Sequence, residues 1–294
     1  MYYRRKILLA LLEAFDNKLE KISLQKLLML VTKQQSKPDF YFVPYKFGCF
    51  SFQANADLTT MTKYNQVKQE GNTWIKVDPV KYLLNLKDGD RQAIRYIKQM
   101  YGNKTPDELI KITYTKYPYF AINSIIAKDR LSKEEYQKVK EVRPQLNNTI
   151  LFTIGYEGIS LEEYINKLIR YDIKILCDVR KNSTSMKYGF SKSQLQKACE
   201  GVGIQYIHIP ELGIDSEKRQ VLNTQSDYDK LFIVYKTEIL SNTLELQDNL
   251  LKLLQEKKRI ALTCFEANIL QCHRKHLADA IAKHPLFKYE LKHI

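Results

Sequence analysis

Apolar residues recur at helical spacing near the start of the chain, where Ile7, Leu8, Leu11, Leu12 and Phe15 share one face of residues 4–15. Ser23 is placed to cap a second helix with Leu24, Leu27, Leu28, Leu30 and Val31 as its apolar face; Lys26, Lys33 and Lys37 fall outside that face, and Pro38 ends the helix. Residues 40–52 are aromatic and extended, broken by Pro44 and Gly48. The pattern predicts a helix over 54–67 and a hairpin over 69–77, turning at Gly71-Asn72 with Trp74 as its anchor. Helices are expected at 88–101, 106–117 and 131–142. Two short helices followed by a hairpin suggest a small winged helix-turn-helix, whose second helix would enter a major groove; the plainer alternative is an α+β domain that only packs.

The stretch Arg143-Pro144-Gln145-Leu146-Asn147-Asn148-Thr149 is a polar break, after which the pattern changes. Short buried-type strands are expected at 150–154, 173–177, 204–209 and 259–264. Helices alternate with them: one opened by a capping box of Ser160 and Glu163, one over 191–200 closed by Gly201 and Gly203, a long stretch over 226–256 in two pieces, and one over 271–283. The expected fold class is therefore α/β, a mostly parallel sheet with flanking helices in residues 147–294, preceded by a smaller α+β winged-helix-like domain in residues 1–146.

At 294 residues the chain is long enough for two such cores. No run approaches 18 apolar residues, and Glu13 and Asp16 interrupt the basic, apolar start before it can act as a signal peptide, which points to a cytoplasmic protein with no membrane partner. Five scattered cysteines, an odd number, read as reduced thiols. The net charge of +14 changes the picture because it is lopsided: residues 1–146 hold 26 Lys and Arg against 15 Asp and Glu, and residues 147–294 hold 21 against 18. A basic first half suggests a polyanion such as DNA, held through Lys26, Lys33, Lys37 and Lys46; a lysine-rich proteome with solvated faces would leave the same trace.

Ligands of open α/β sheets bind beyond the carboxyl ends of the strands. Those ends supply Gly155, Tyr156 and Gly158, then Asp178 and Arg180, then His208, and last Cys264, Glu266, Cys272, His273 and Arg274. The ordered set Gly155-Tyr156-x-Gly158, Asp178-x-Arg180, Phe190-Ser191, Ile209-Pro210-x-Leu212-Gly213 and Cys264-x-Glu266-x5-Cys272-His273-Arg274 resembles the bacterial family catalogued as domain of unknown function 488, over about residues 150–282. The resemblance implies a fold and a site, and no reaction. Leu24-Gln25-Lys26-Leu27-Leu28 with Phe42-Val43-Pro44-Tyr45-Lys46-Phe47-Gly48 more loosely resembles SocA-like (Panacea) antitoxin domains.

Within the set, Asp178 and Glu266 are candidates for general acid and base, with the alternative that Asp178 pairs with an arginine and only holds its loop. Cys272 opens a helix beside Arg274, a setting expected to favour its thiolate as a nucleophile. Arg180 and Arg274 are candidate phosphate ligands, and Gly155 and Gly158 would let a ligand approach the backbone. Tyr156 can stack on a base or merely pack, and Cys264, His208 and His273 would shape the pocket. No cofactor is expected; zinc on Cys264, Cys272 and His276 is the alternative. The expected function is a nucleic-acid-directed enzyme, hydrolytic at a nucleotide or base. Its rivals are a non-enzymatic DNA-binding regulator sensing an anionic ligand, and a thiol-based enzyme acting on a small metabolite.

Overall fold

Ile150–Gly155 and Arg259–Cys264 are buried almost throughout, as strands covered on both faces must be, and they lie side by side in a parallel sheet. The computed structural model describes residues 1–219 and 222–294. The chain divides into two compact units, Met1–Arg143 and Pro144–Ile294.

In the first unit α1 (Tyr3–Ala14) leads into β1 (Lys18–Glu20) through left-handed residues Asp16 and Asn17, a conformation that short polar side chains tolerate. Next come α2 (Lys21–Thr32), a hairpin of β2 (Val43–Tyr45) and β3 (Gly48–Phe50), α3 (Phe52–Lys63), and a second hairpin of β4 (Val67–Glu70) and β5 (Thr73–Lys76). β1 pairs antiparallel with β5, giving the sheet order β1-β5-β4. The helices α4 (Asp88–Tyr101), α5 (Pro106–Lys116), α6 (Ala127–Arg130) and α7 (Lys133–Glu141) follow. Helix α2 starts two residues before Ser23, and every residue from Ser23 to Thr32 is buried. It is a core helix, and neither of its long faces meets water. Lys26 is 1% exposed, and its ammonium donates to the Phe47 carbonyl. The assignment of Lys26 to a nucleic-acid surface is thereby overturned; Lys33, Lys37 and Lys46 are exposed.

The second unit runs β6 (Ile150–Gly155), α8 (Leu161–Arg170), β7 (Ile175–Asp178), α9 (Lys192–Glu200), β8 (Gln205–His208), α10 (Gln225–Val234), α11 (Leu244–Lys257), β9 (Arg259–Cys264), α12 (His273–Ala282) and β10 (Glu290–His293). All five strands are parallel, in the order β10-β6-β9-β7-β8. The Ser160–Glu163 capping box forms reciprocally at the start of α8. Leu151, Ile175, Ile260 and Leu262 of the sheet pack with Leu254, Leu277 and Ile281 of the helices in one core. Among the described residues no helix is long and apolar enough to cross a membrane.

Candidate functional site

Because the sheet is parallel, its carboxyl ends fall on one edge, and β9 inserted between β6 and β7 brings the last loop of the chain between the first two. Gly155 sits opposite Cys264, Asp178 opposite Thr263 on one side and opposite His208 on the other. Between these ends lies a cavity of about 630 Å³ whose walls include Tyr156, Arg180, Lys187, Cys264, Phe265 and His273.

The loop after β6 is stitched to the loop after β9. The amides of Tyr156 and Glu157 both donate to the Phe265 carbonyl, at 3.1 and 2.9 Å, and the Glu157 carboxylate accepts from the Ala267 amide. Those amides are therefore unavailable to a phosphate. Gly155 serves the packing: a Cβ there would lie 2.0 Å from the Glu266 carbonyl oxygen. Gly158 borders the cavity in a left-handed conformation, φ +78°, with open space around it. Tyr156 packs rather than presenting a stacking face, since its ring lies parallel to Phe190 with centroids 4.2 Å apart and its hydroxyl accepts from Arg180.

Asp178 does not face the cavity. It is fully buried, bonded through both oxygens to Arg180 and through Oδ2 to the Tyr206 hydroxyl. Its place as an acid or base is corrected to that of a loop anchor, because a carboxylate removed from water needs this many donors. Arg180 Nη1 also donates to the Tyr156 hydroxyl and to the Phe190 carbonyl. Although burial opposes the charge, the bond to Asp178 raises the Arg180 pKa. His208 Nε2 donates to the Arg180 carbonyl at 2.8 Å and braces the same loop. Arg274 is 2% exposed and donates to the Glu266 carbonyl at 2.6 Å, so it shapes the β9–α12 turn instead of clamping an anion in solvent.

Glu266, Cys264 and His273 come together. The Cys264 thiol donates to Glu266 Oε2 at 3.1 Å and lies 3.7 Å from His273 Nδ1. His273 Nε2 donates to the Val179 carbonyl at 2.9 Å, which turns the other ring nitrogen, Nδ1, toward the sulfur. Cys272 completes a group in which one ligand atom each from Cys264, Cys272 and His273 lie within 4.8 Å of one another. Burial pushes the Cys272 thiol well above its ordinary range, and its bond to Cys264 adds to the rise, which opposes the thiolate expected beside Arg274. His276 is absent from the cluster. Its ring lies against Phe232, centroids 4.4 Å apart.

Lys181, Lys187 and Phe265 are among the cavity residues that the strand-end pattern does not single out. Lys181 is exposed at the rim, and Lys187 donates to the Tyr156 carbonyl, its pKa lowered by burial. Phe265, 41% exposed, offers the aromatic face that Tyr156 does not. The only available signal was position, since each follows the carboxyl end of a strand directly or within the next loop.

The second unit is thus a parallel α/β domain with a thiol, imidazole and carboxylate cluster at the carboxyl edge of its sheet. Residues 160–281 match the model of a family described as domain of unknown function DUF488. No curated protein and no solved structure gives a significant match.

Proposed function

We propose that the protein is a nucleic-acid-directed enzyme that hydrolyses a bond of a nucleotide in the cavity of its second unit. The observation that carries the reading is the Glu266 carboxylate, held 3.1 Å from the sulfur of Cys264, a residue of the cavity wall that also includes two lysines and an exposed phenylalanine. Each feature suits one part of a nucleotide. Lys181 and Lys187 offer ammonium groups to phosphate, Phe265 offers a face on which a base can stack, and Glu266 is the carboxylate able to take and return a proton.

The first unit supports the nucleic-acid half. Apart from the β2–β3 insertion, its order is helix, strand, helix, helix and hairpin, with the first strand added to the hairpin's edge. That is the order of a winged helix. The helix offered to a groove is then α3, whose exposed Asn55, Thr59 and Lys63 recur every four residues, and the β4–β5 hairpin is the wing.

The test is to incubate the full chain with single- and double-stranded oligodeoxynucleotides and with mononucleotides, and to identify products by mass spectrometry. Product from the wild type, slowed about 10²–10⁴-fold in Glu266→Gln, is the expected result. Absence of product from every substrate, or an unchanged rate in Glu266→Gln, overturns the reading. A second reading rests on the 3.7 Å approach of Cys264 to His273, the spacing of a thiol beside its base. It predicts that alkylating Cys264 stops turnover while Glu266→Gln does not.

A further inference from the structure

We infer that Cys264, Cys272 and His273 form a zinc site whose open position faces the cavity, with Glu266 beside it as the group that takes a proton from metal-bound water. The water-activation half rests on the hydrolytic reading above; the metal half does not.

The donor set is the first support. Two sulfurs and one imidazole nitrogen lie within 4.8 Å of one another, and all three residues are buried. Tetrahedral zinc with Zn–S near 2.3 Å and Zn–N near 2.0 Å requires sulfur and nitrogen ligands about 3.6 Å apart. Cys264 Sγ and His273 Nδ1 are separated by 3.7 Å. Two thiolates and a neutral imidazole around a divalent ion also give a site of zero net charge, the state that a buried position tolerates. Soft sulfur donors with imidazole favour zinc over the alkaline-earth ions.

The orientation of His273 is the second support. Its Nε2 is committed to the Val179 carbonyl, so the tautomer is fixed and Nδ1 is turned toward the sulfurs. Such an outer bond is the usual partner of a metal-bound histidine. Adjacent residues on a helix point about 100° apart and would not chelate together. Cys272, however, precedes α12 with φ −130° and ψ 131°, an extended conformation, so this geometry does not apply to Cys272 and His273.

The third support is the division of surfaces. Cys264 and His273 border the cavity, whereas Cys272 is fully buried. Three protein ligands with one side toward the cavity is the arrangement of a catalytic rather than a structural zinc. When Cys264 binds metal it gives up the proton it shares with Glu266, and the carboxylate is released to the water at the fourth position. In the hydrolytic step Glu266 takes one proton from that water. The resulting hydroxide forms the new C–O or P–O bond, the bond to the leaving group breaks, and the leaving group departs with the proton from Glu266. One water is consumed, and no oxidant or reductant is needed.

The experiment is metal analysis of the untagged full chain, purified under reducing conditions, together with cobalt(II) titration followed by sulfur-to-cobalt charge-transfer absorption. One zinc per chain, and one cobalt with tetrahedral thiolate absorption, are expected. Cys272→Ser and His273→Ala should lose at least tenfold in cobalt affinity, while His276→Leu should match the wild type. Less than a tenth of an equivalent of zinc with no cobalt absorption, a Cys264–Cys272 disulfide in its place, or full affinity in both ligand variants overturns the site. Should the chain bind zinc but hydrolyse no nucleotide, the metal site stands and the hydrolytic reading fails. Should it hydrolyse a nucleotide at full rate after zinc removal, the hydrolytic reading stands and the part of the metal in activating water fails.

Discussion

Arg180 clasps Asp178 through two bonds, Nε to Oδ1 at 2.8 Å and Nη2 to Oδ2 at 2.5 Å, and both side chains are buried. The pair fixes the start of the loop that forms one wall of the cavity, because Arg180 continues to Tyr156 and to the Phe190 carbonyl. Removing one partner of such a pair strands the other charge without water. Asp178→Asn is expected to lower unfolding stability by about 3–5 kcal/mol, read from urea titration. A variant of unchanged stability that loses turnover would instead give Asp178 a part in the chemistry.

Gly155 and Gly158 resemble each other in sequence and differ in what surrounds them. A Cβ on Gly155 would meet the Glu266 carbonyl oxygen at 2.0 Å, a backbone atom that cannot swing aside, whereas one on Gly158 would meet nothing within 4 Å. Gly155→Ala is expected to cost about 3 kcal/mol and to displace Glu266. Gly158→Ala should cost only the left-handed backbone penalty of about 1–2 kcal/mol. Thermal melting of the two variants checks the order, and equal losses would contradict it.

The central strands were legible because a strand buried on both faces is written as an apolar run, as in Ile150–Ile154 and Ile260–Leu262. β10 was not. Glu290, Lys292 and His293 are polar, and the segment is an edge strand paired with β6 alone and largely exposed. The site was legible as a set of strand ends, but its roles were not. Asp178 and Glu266 look alike as letters; one is enclosed by Arg180 and Tyr206, and the other lies beside a thiol. Helical spacing suggested His276 as the partner of Cys272, and the extended backbone at Cys272 selects His273. Periodicity sets Lys26 off the apolar face of its helix and does not register that α5 and the β2–β3 hairpin also cover that side.

His276 gives the fold an acid sensitivity that can be assigned to one ring. Burial lowers its pKa from about 6.5 to about 4, with Lys236 and Lys275 nearby adding to the effect. The unfolded chain therefore binds the proton more readily than the folded one. The associated stability is fully present above pH 6.5 and is lost as pH falls through about 4. Its buried Nε2 also has no hydrogen-bond partner among the described residues. His276→Leu, against Phe232, should match or exceed the wild type in stability at pH 7 and show a shallower loss between pH 6.5 and 4. An unchanged slope in urea titrations across that range would locate the acid sensitivity elsewhere.

Two lysines of the first unit distinguish its core from the surface proposed to meet DNA. Lys26 is enclosed beside Cys49 and Tyr114, and burial lowers its pKa. Lys63 is exposed at the end of α3. If α3 enters a groove, Lys63→Ala should weaken binding to labelled duplex and reduce the slope of log affinity against log salt by about 1, the loss of one phosphate contact. Lys26→Met should leave that slope unchanged, because an enclosed ammonium releases no counterion from DNA. Equal slopes for wild type and Lys63→Ala would remove α3 from the interface. A reduced slope for Lys26→Met with unchanged thermal melting would show that the ammonium reaches the duplex, contrary to its enclosure.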